Sequence, residues 1–337
     1  MRVLLVTQMW PGPTDPDLGS FLVPVVRELQ QLGNEVEVVA IDHRGGSRTK
    51  YARLTWEAIA AAQRSRPDVV FAHFLFPAGA SGALGGLAGR APLVVMAHGT
   101  DVANLGRIPG VEAATRWVLG RARGVIANSR WLGAQLAERI PAAADKLTVA
   151  DCGIDLDAFR PLDRNRARAA LGWDADGPVF ACVGSLIERK NVIRLADAFA
   201  RLGRGRLVFV GDGELRGAVE GRDGVTVTGR VPQSEVPRWV AACDVLCQPS
   251  LREPFGQATL EAMAMERSVV ATTVGGPPEF VPPEAGVLID PTVDGEIDRG
   301  LRELARLPSP NPAARKAAEA HDVRVQAKRI AEILRGA

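Results

Sequence analysis

Two glutamates eight positions apart, Glu253 and Glu261, frame a glycine and the start of an apolar helical run in the stretch SLREPFGQATLEAMA. Such a pair suits three kinds of chemistry: a general acid with a general base, a metal site, or a clamp for a polar ligand. Glu261 stands four residues after Gln257, so both share the helix face at its entrance, while Leu260, Ala262 and Met263 can cover a core. A carboxylate there can accept two hydroxyl hydrogen bonds, which suits a diol. Gly256 lets the backbone approach a ligand, and the helix it opens favours an anion at its N-terminus.

A second constellation lies upstream. VGSLIERKNVIRLADAF reads as a strand, a glycine turn, a loop bearing Arg189 and Lys190, and a helix. A phosphate placed there would meet two cations and the amides of a helix start, whereas the alternative is a solvated charged turn. The spacing is not G-x(4)-G-K-[ST], so nothing points to an ATPase. His98 opens a Gly-Thr-Asp turn after a strand and is the histidine with a claim to ligand contact; His43, His73 and His321 read as surface or structural residues. Asp15 and Asp17, and Asp155 and Asp157, have Asp-x-Asp spacing without a histidine cluster, so no metal is expected.

The elements that must position these residues are short apolar runs separated by helical segments: VLLVT, VEVVAI, VVFAH, LVVMAH, GVIAN and LTVA, then VFACVG, LVFVG, VTVTG, DVLCQPS, SVVATT and GVLI. Near-continuous Val, Ile and Leu strands alternating with helices predict parallel sheets covered on both faces, an α/β architecture. The series restarts at PVFACVGSL after a turn-rich stretch, which places a boundary near residue 155 between similar domains facing each other across a cleft: 1–155, and 156–319. The helical segment at about 320–337 is expected to cross back onto the first domain. Nearly all the unusual residues follow a strand's carboxyl end, where open parallel sheets bind ligands.

Composition narrows the function. With 41 Lys plus Arg against 39 Asp plus Glu in 337 residues, the chain lacks the basic excess of a nucleic-acid binder. Only five residues are lysines, which draws attention to Lys190. Cys152, Cys182, Cys243 and Cys247 read as buried thiols of a reducing compartment, and no apolar run is of membrane length. A cytoplasmic protein is expected. The Arg- and Trp-bearing stretch from Arg107 to Trp131 leaves peripheral contact with the inner membrane face open beside an ordinary helix with core tryptophans.

The ordered set EPFGQATLE, VGSLIERKN, GDGELR, VTVTGRVPQSEV, AACDVLCQPS and SVVATTVGGPPEFV, with AHGTD, VIANSRWL and CGIDLDAFRP in the first half, resembles the retaining glycosyltransferases of family 4 and their E-x(7)-E motif. The resemblance covers nearly the whole chain and is densest from about 147 to 290. It implies a GT-B fold of two Rossmann-like domains and metal-independent transfer of a hexose-type sugar from a nucleoside-diphosphate donor, with no cofactor, to a sugar, lipid or small-molecule acceptor. It further implies that Lys190 and Arg189 hold the diphosphate and that Glu261 takes the ribose hydroxyls. Glu253, with the backbone of Phe255, Gly256, Gln257 and Ala258, would hold the sugar and its phosphate. His98 would contact the donor sugar, Gly19 would help close over the phosphates, and Arg230 and Val231 would meet the base. Ser185 stands where many members carry an arginine, leaving Arg189 to compensate, and Gly19 is followed by Ser20 where many have paired glycines. A catalytically silent nucleotide-sugar-binding subunit, and an epimerase or phosphorylase on the same fold, are the rival readings.

Overall fold

The computed structural model describes residues 1–173 and 177–337; Asp174, Ala175 and Asp176, at the end of the turn-rich boundary stretch, lie outside the described residues. The chain divides into two compact units, residues 1–153 with 323–337, and residues 154–322. All twelve apolar runs singled out in the sequence form strands. Those of the first unit are β1 (Arg2–Thr7), β2 (Glu35–Ala40), β3 (Val69–His73), β4 (Leu93–Ala97), β5 (Ala122–Ala127) and β6 (Leu147–Val149). Those of the second are β7 (Val179–Val183), β8 (Arg206–Val210), β9 (Val225–Val227), β10 (Val245–Gln248), β11 (Ser268–Thr272) and β12 (Gly286–Ile289).

Each unit holds one six-stranded parallel sheet, in the orders β2-β1-β3-β4-β5-β6 and β12-β11-β10-β7-β8-β9. Strands β3, β4 and β11 are buried at every position, which is why their sequences are continuous rather than alternating. The strand order reverses between β1 and β3 in the first unit and between β7 and β10 in the second. At such switch points the loops leaving the two strands turn to opposite sides and open a crevice at the carboxyl ends.

Helix Val323–Arg335 belongs to the first unit although it follows the second in sequence. Its Val323, Ile330, Ala331 and Leu334 share one apolar cluster with Leu22, Val25, Val26 and Leu29 of helix Leu22–Gln31 and with Val3 and Leu5 of β1. Burying a Leu or Ile side chain of this kind is worth about 1.5–3 kcal/mol, enough to hold the terminal helix to its sheet.

Candidate functional site

In the second unit the loops after β7 and β10 flank the switch point, and side chains at the strand ends join them. Gln248 donates from Nε2 to the carbonyl of Val183 at 2.8 Å, and the thiol of Cys182 reaches Gln248 Oε1 at 3.0 Å. Arg189 and Lys190 fall in a short 3-10 turn, Glu188–Lys190, ahead of helix Val192–Leu202. Lys190 Nζ lies 2.6 Å from Glu253 Oε2, and Ser250 donates from Oγ to the same oxygen at 3.1 Å. Arg189 Nη1 stands 3.7 Å from that oxygen and donates to the carbonyl of Arg252 at 3.0 Å. The two cations that the sequence sets aside for a phosphate thus also face a carboxylate within the protein. Burial pushes the Glu253 carboxyl up, but the Lys190 ammonium and the Arg189 guanidinium, with the Ser250 hydroxyl, outweigh it and hold the group below the usual glutamate value.

The backbone of Glu253 is fixed by the loop after β11. Its amide donates to the carbonyl of Val274 at 3.0 Å and its carbonyl accepts from the Gly276 amide at 2.9 Å. Gly275 has φ of +133°, and a Cβ there would lie 1.9 Å from the carbonyl oxygen of Glu253, so only glycine fits. Gly256, at φ +111°, precedes helix Gln257–Ala264, which no side chain caps. A Cβ on Gly256 would meet the Phe280 ring at 3.0 Å, a tight contact added to a φ that already favours glycine. Phe255 is buried against Phe280 and His321, which makes its side chain part of the core and His321 a structural residue. Gln257 and Ala258 begin the helix, half-buried.

Glu261 is buried on the first turns of that helix and accepts hydrogen bonds from Gln233 Nε2 at 2.9 Å and Gln257 Nε2 at 3.4 Å. No cation among the described residues offsets its burial, which pushes its carboxyl up to about 7 against the pull of the two amides. The two glutamates thus differ in charge near neutrality: Glu253 is ionised and Glu261 is poised. Ser185 is exposed on the turn after β7, and Arg230 is exposed after the positive-φ Gly229. Val231 packs its half-buried side chain against the core of the unit.

The first unit holds Gly19 and His98. Gly19 has φ of +64°, and a Cβ there would come within 2.4 Å of the Met9 carbonyl, so a close backbone approach inside the loop after β1 requires it. Asp15 and Asp17 both pair with Arg44, at 2.8 and 2.7 Å, which gives that Asp-x-Asp run a structural partner. Asp155 accepts from the amides of Asp157 and Ala158, both at 3.0 Å, and caps a turn.

His98 follows β4, and Asp101 builds the turn that carries it. The Asp101 carboxylate accepts from the backbone amides of Leu75, His98, Gly99 and Val102 at 2.8–3.3 Å, and burial pushes the carboxyl up despite these donors. His73, at the end of β3, is fully buried rather than a surface residue, and its Nδ1 lies 2.9 Å from His98 Nε2. Burial lowers His98 to about 3 and drives His73 well below the usual histidine value, so both rings are neutral. His73, His98 and Cys152 bring possible ligand atoms within 4.8 Å of one another. The 2.9 Å contact between ring nitrogens is that of a hydrogen bond; two imidazoles on one tetrahedral zinc at about 2.0–2.1 Å would stand roughly 3.3 Å apart.

Several positioning residues escape sequence reasoning. Ser250 and Gln233 act across 3 and 28 residues on the two glutamates. Asn191 takes the left-handed conformation at φ +57° and donates to the Pro291 carbonyl at 3.3 Å, tying the ERK turn to the loop after β12. An Asn directly after a basic pair and ahead of a helix was the available signal, since Asn tolerates the left-handed region best after glycine.

Comparison with known proteins places this geometry. Residues 18–158 match the model described as Glycosyltransferase Family 4, and residues 177–306 the model described as Glycosyl transferases group 1. A Bacillus subtilis (strain 168) protein, named provisionally as the teichuronic acid biosynthesis glycosyltransferase TuaC, is 26% identical over 337 residues, covering 86% of each chain. The D-inositol 3-phosphate glycosyltransferase of Mycobacterium leprae (strain Br4923) is 34% identical over 247 residues, 66% of this chain and 57% of that protein, so the chain spans little more than half of that relative. Among solved structures, Anabaena HepE in complex with UDP-glucose superposes with a TM-score of 0.77 at 23% identity, covering 100% of both chains. The chain is an α/β protein of the GT-B fold whose first part is similar to Glycosyltransferase Family 4 and whose second part is similar to Glycosyl transferases group 1.

Proposed function

We propose that the protein is a retaining, metal-independent glycosyltransferase that moves a hexose-type sugar from a nucleoside diphosphate to an acceptor hydroxyl. The observation that carries this reading is the cluster at the switch point of the second unit: Lys190, Arg189 and Ser250 on the ionised Glu253, with the neutral-poised Glu261 on the helix that follows. An ammonium has three donors and Glu253 engages one, so Lys190 can bridge the carboxylate and a phosphate oxygen. Arg189 adds the second cation for the leaving diphosphate. Helix Gln257–Ala264 supplies amides, and Glu261 takes the ribose hydroxyls.

The retaining course is supported by what surrounds His98 among the described residues. Its ring meets His73 and not a carboxylate, and Asp101 is engaged by backbone amides, so no His-carboxylate pair stands there to act as general base. The departing phosphate oxygen would take the acceptor proton instead. With Lys190 and Arg189 neutralising that charge, no divalent ion is needed for leaving-group departure. HepE was solved with UDP-glucose, which supports a nucleotide-sugar donor here. The four cysteines are buried, unpaired thiols, in keeping with a reducing, cytoplasmic setting, and no described helix is long and apolar enough to cross a membrane.

Thermal shifts with UDP-, GDP- and ADP-sugars identify the donor, because a ligand of the native state raises stability by mass action. Slow release of free sugar from that donor, unaffected by EDTA, is the expected activity. Donor binding without any turnover would favour the silent subunit, an epimerised nucleotide sugar or release of free phosphate would favour the rival enzymes, and EDTA-sensitive turnover restored by magnesium would refute metal independence.

A further inference from the structure

Only one side of the His98 ring is spoken for. Nε2 faces His73 Nδ1 at 2.9 Å, while no hydrogen bond engages Nδ1 among the described residues, and the residue is half-buried. The partner ring is different. His73 is fully buried, its Nε2 has no hydrogen-bond partner among the described residues, and it packs against Phe71 at 4.3 Å between ring centroids. The one thiol nearby, Cys152, directs its contact to Met96 Sδ at 3.9 Å.

Two neutral imidazoles sharing one hydrogen bond have two arrangements. If His98 donated from Nε2, His73 would accept at Nδ1 and carry its own proton on Nε2, burying an N–H with no acceptor. If His73 donates from Nδ1, its Nε2 is a bare lone pair in an apolar wall. Buried N–H groups without an acceptor are the rarer and costlier of the two defects. We infer that His73 is a positioning residue that fixes His98 in its Nδ1–H tautomer, so that His98 presents a hydrogen-bond donor, not a base, to a ligand oxygen.

The ring stack reinforces the constraint. Phe21 and Phe74 lie 5.4 and 4.6 Å from the His98 ring and His73 lies 5.1 Å away at 29°, so a ring flip that would carry Nε2 away from His73 must displace aromatic neighbours. That the ligand oxygen belongs to a donor sugar or phosphate rests on the proposed function. The tautomer does not.

The test is long-range proton–nitrogen NMR of the full chain labelled at histidine nitrogen. His98 should show a protonated Nδ1 and a bare Nε2. His73→Phe, which keeps an aromatic ring but removes the donor, should release His98 toward the Nε2–H form preferred by free imidazole side chains. His73→Asn, whose amide nitrogen can stand near the position of Nδ1, should restore the native tautomer. A wild-type His98 protonated at Nε2 overturns the inference without any variant, as does a His73→Phe spectrum unchanged at His98. On the proposed function, donor turnover should fall on the order of tenfold in His73→Phe, the scale of one hydrogen bond, and recover in His73→Asn. A protein that shows the tautomer but turns over no nucleotide sugar would leave this inference standing and remove the functional reading.

Discussion

Lys190 Nζ and Glu253 Oε2, 63 residues apart in sequence, meet at 2.6 Å with side chains only 12% and 11% exposed. An ion pair so enclosed is costly to break from one side, because the partner left behind is a buried charge without its counter-ion. Lys190→Ala should therefore destabilise the fold by about 3 kcal/mol, with Glu253→Gln in the same background recovering part of the loss. Urea denaturation of the two single variants and the double variant measures this coupling. A cycle that closes within about 0.5 kcal/mol of additivity would mean the pair is energetically idle.

Glu261 carries a pH signature of opposite sign to that of a salt-bridged acid. Its carboxyl stands at about 7 in the native protein against an ordinary 4.5, so between those values the native state holds a proton that the unfolded chain has lost. Stability should fall as pH rises from about 4.5 to 7 and level off above, by at most about 3 kcal/mol for a shift of this size. Glu261→Gln should remove that slope and be the more stable protein at pH 8. Denaturation midpoints of the two proteins across pH 4.5 to 8 check it. In parallel, donor affinity should strengthen as pH rises through 7, since the ionised carboxylate is the better acceptor for two ribose hydroxyls.

The strands were legible because burial on both faces writes itself as unbroken Val, Ile and Leu, as in VVFAH and LVVMAH. The site was legible where a residue's neighbours in sequence determine its surroundings: Gly256 before a helix, Glu261 one turn into it. What sequence could not convey was pairing between loops. Nothing in SLREPFG says that Glu253 will meet a lysine from ERK, nor in VVFAH that His73 will end its strand against a histidine 25 residues on. Those contacts depend on strand order, β10 beside β7 and β4 beside β3, and that order is a property of the whole chain.

Gly275 tests how far that loop pairing depends on backbone shape. Alanine there would combine φ of +133° with a Cβ 1.9 Å from the Glu253 carbonyl oxygen, so the two loops must part. Gly275→Ala should cost about 2–4 kcal/mol and weaken donor binding through Glu253. Gly295→Ala is the control, since φ there is +80° but no atom lies within 4 Å of the added carbon. It should cost about 1–2 kcal/mol, the left-handed penalty alone, with donor binding unchanged. Equal losses in the two variants, by thermal or urea melts, would remove the loop contact from the explanation.

The stereochemical outcome depends on which group receives the acceptor's proton. An inverting transfer needs a base on the face opposite the leaving group, and His98 is poorly suited: burial lowers it to about 3, so its conjugate acid is too strong for the ring to draw a proton from a hydroxyl. Asp101 is no better placed, with its carboxylate held by backbone amides. On the proposed reading the acceptor approaches on the face the diphosphate leaves, and a phosphate oxygen takes the proton while Lys190 and Arg189 stabilise the separating charge. Glu253, ionised and ion-paired, then orients the sugar without attacking it. An α-linked donor should give an α-linked first product in proton NMR, and Glu253→Gln should slow turnover without accumulating a glycosylated protein in intact-mass spectra. A β-linked first product would reject this course, and a glycosyl adduct on Glu253 of the wild-type chain would replace it with double displacement.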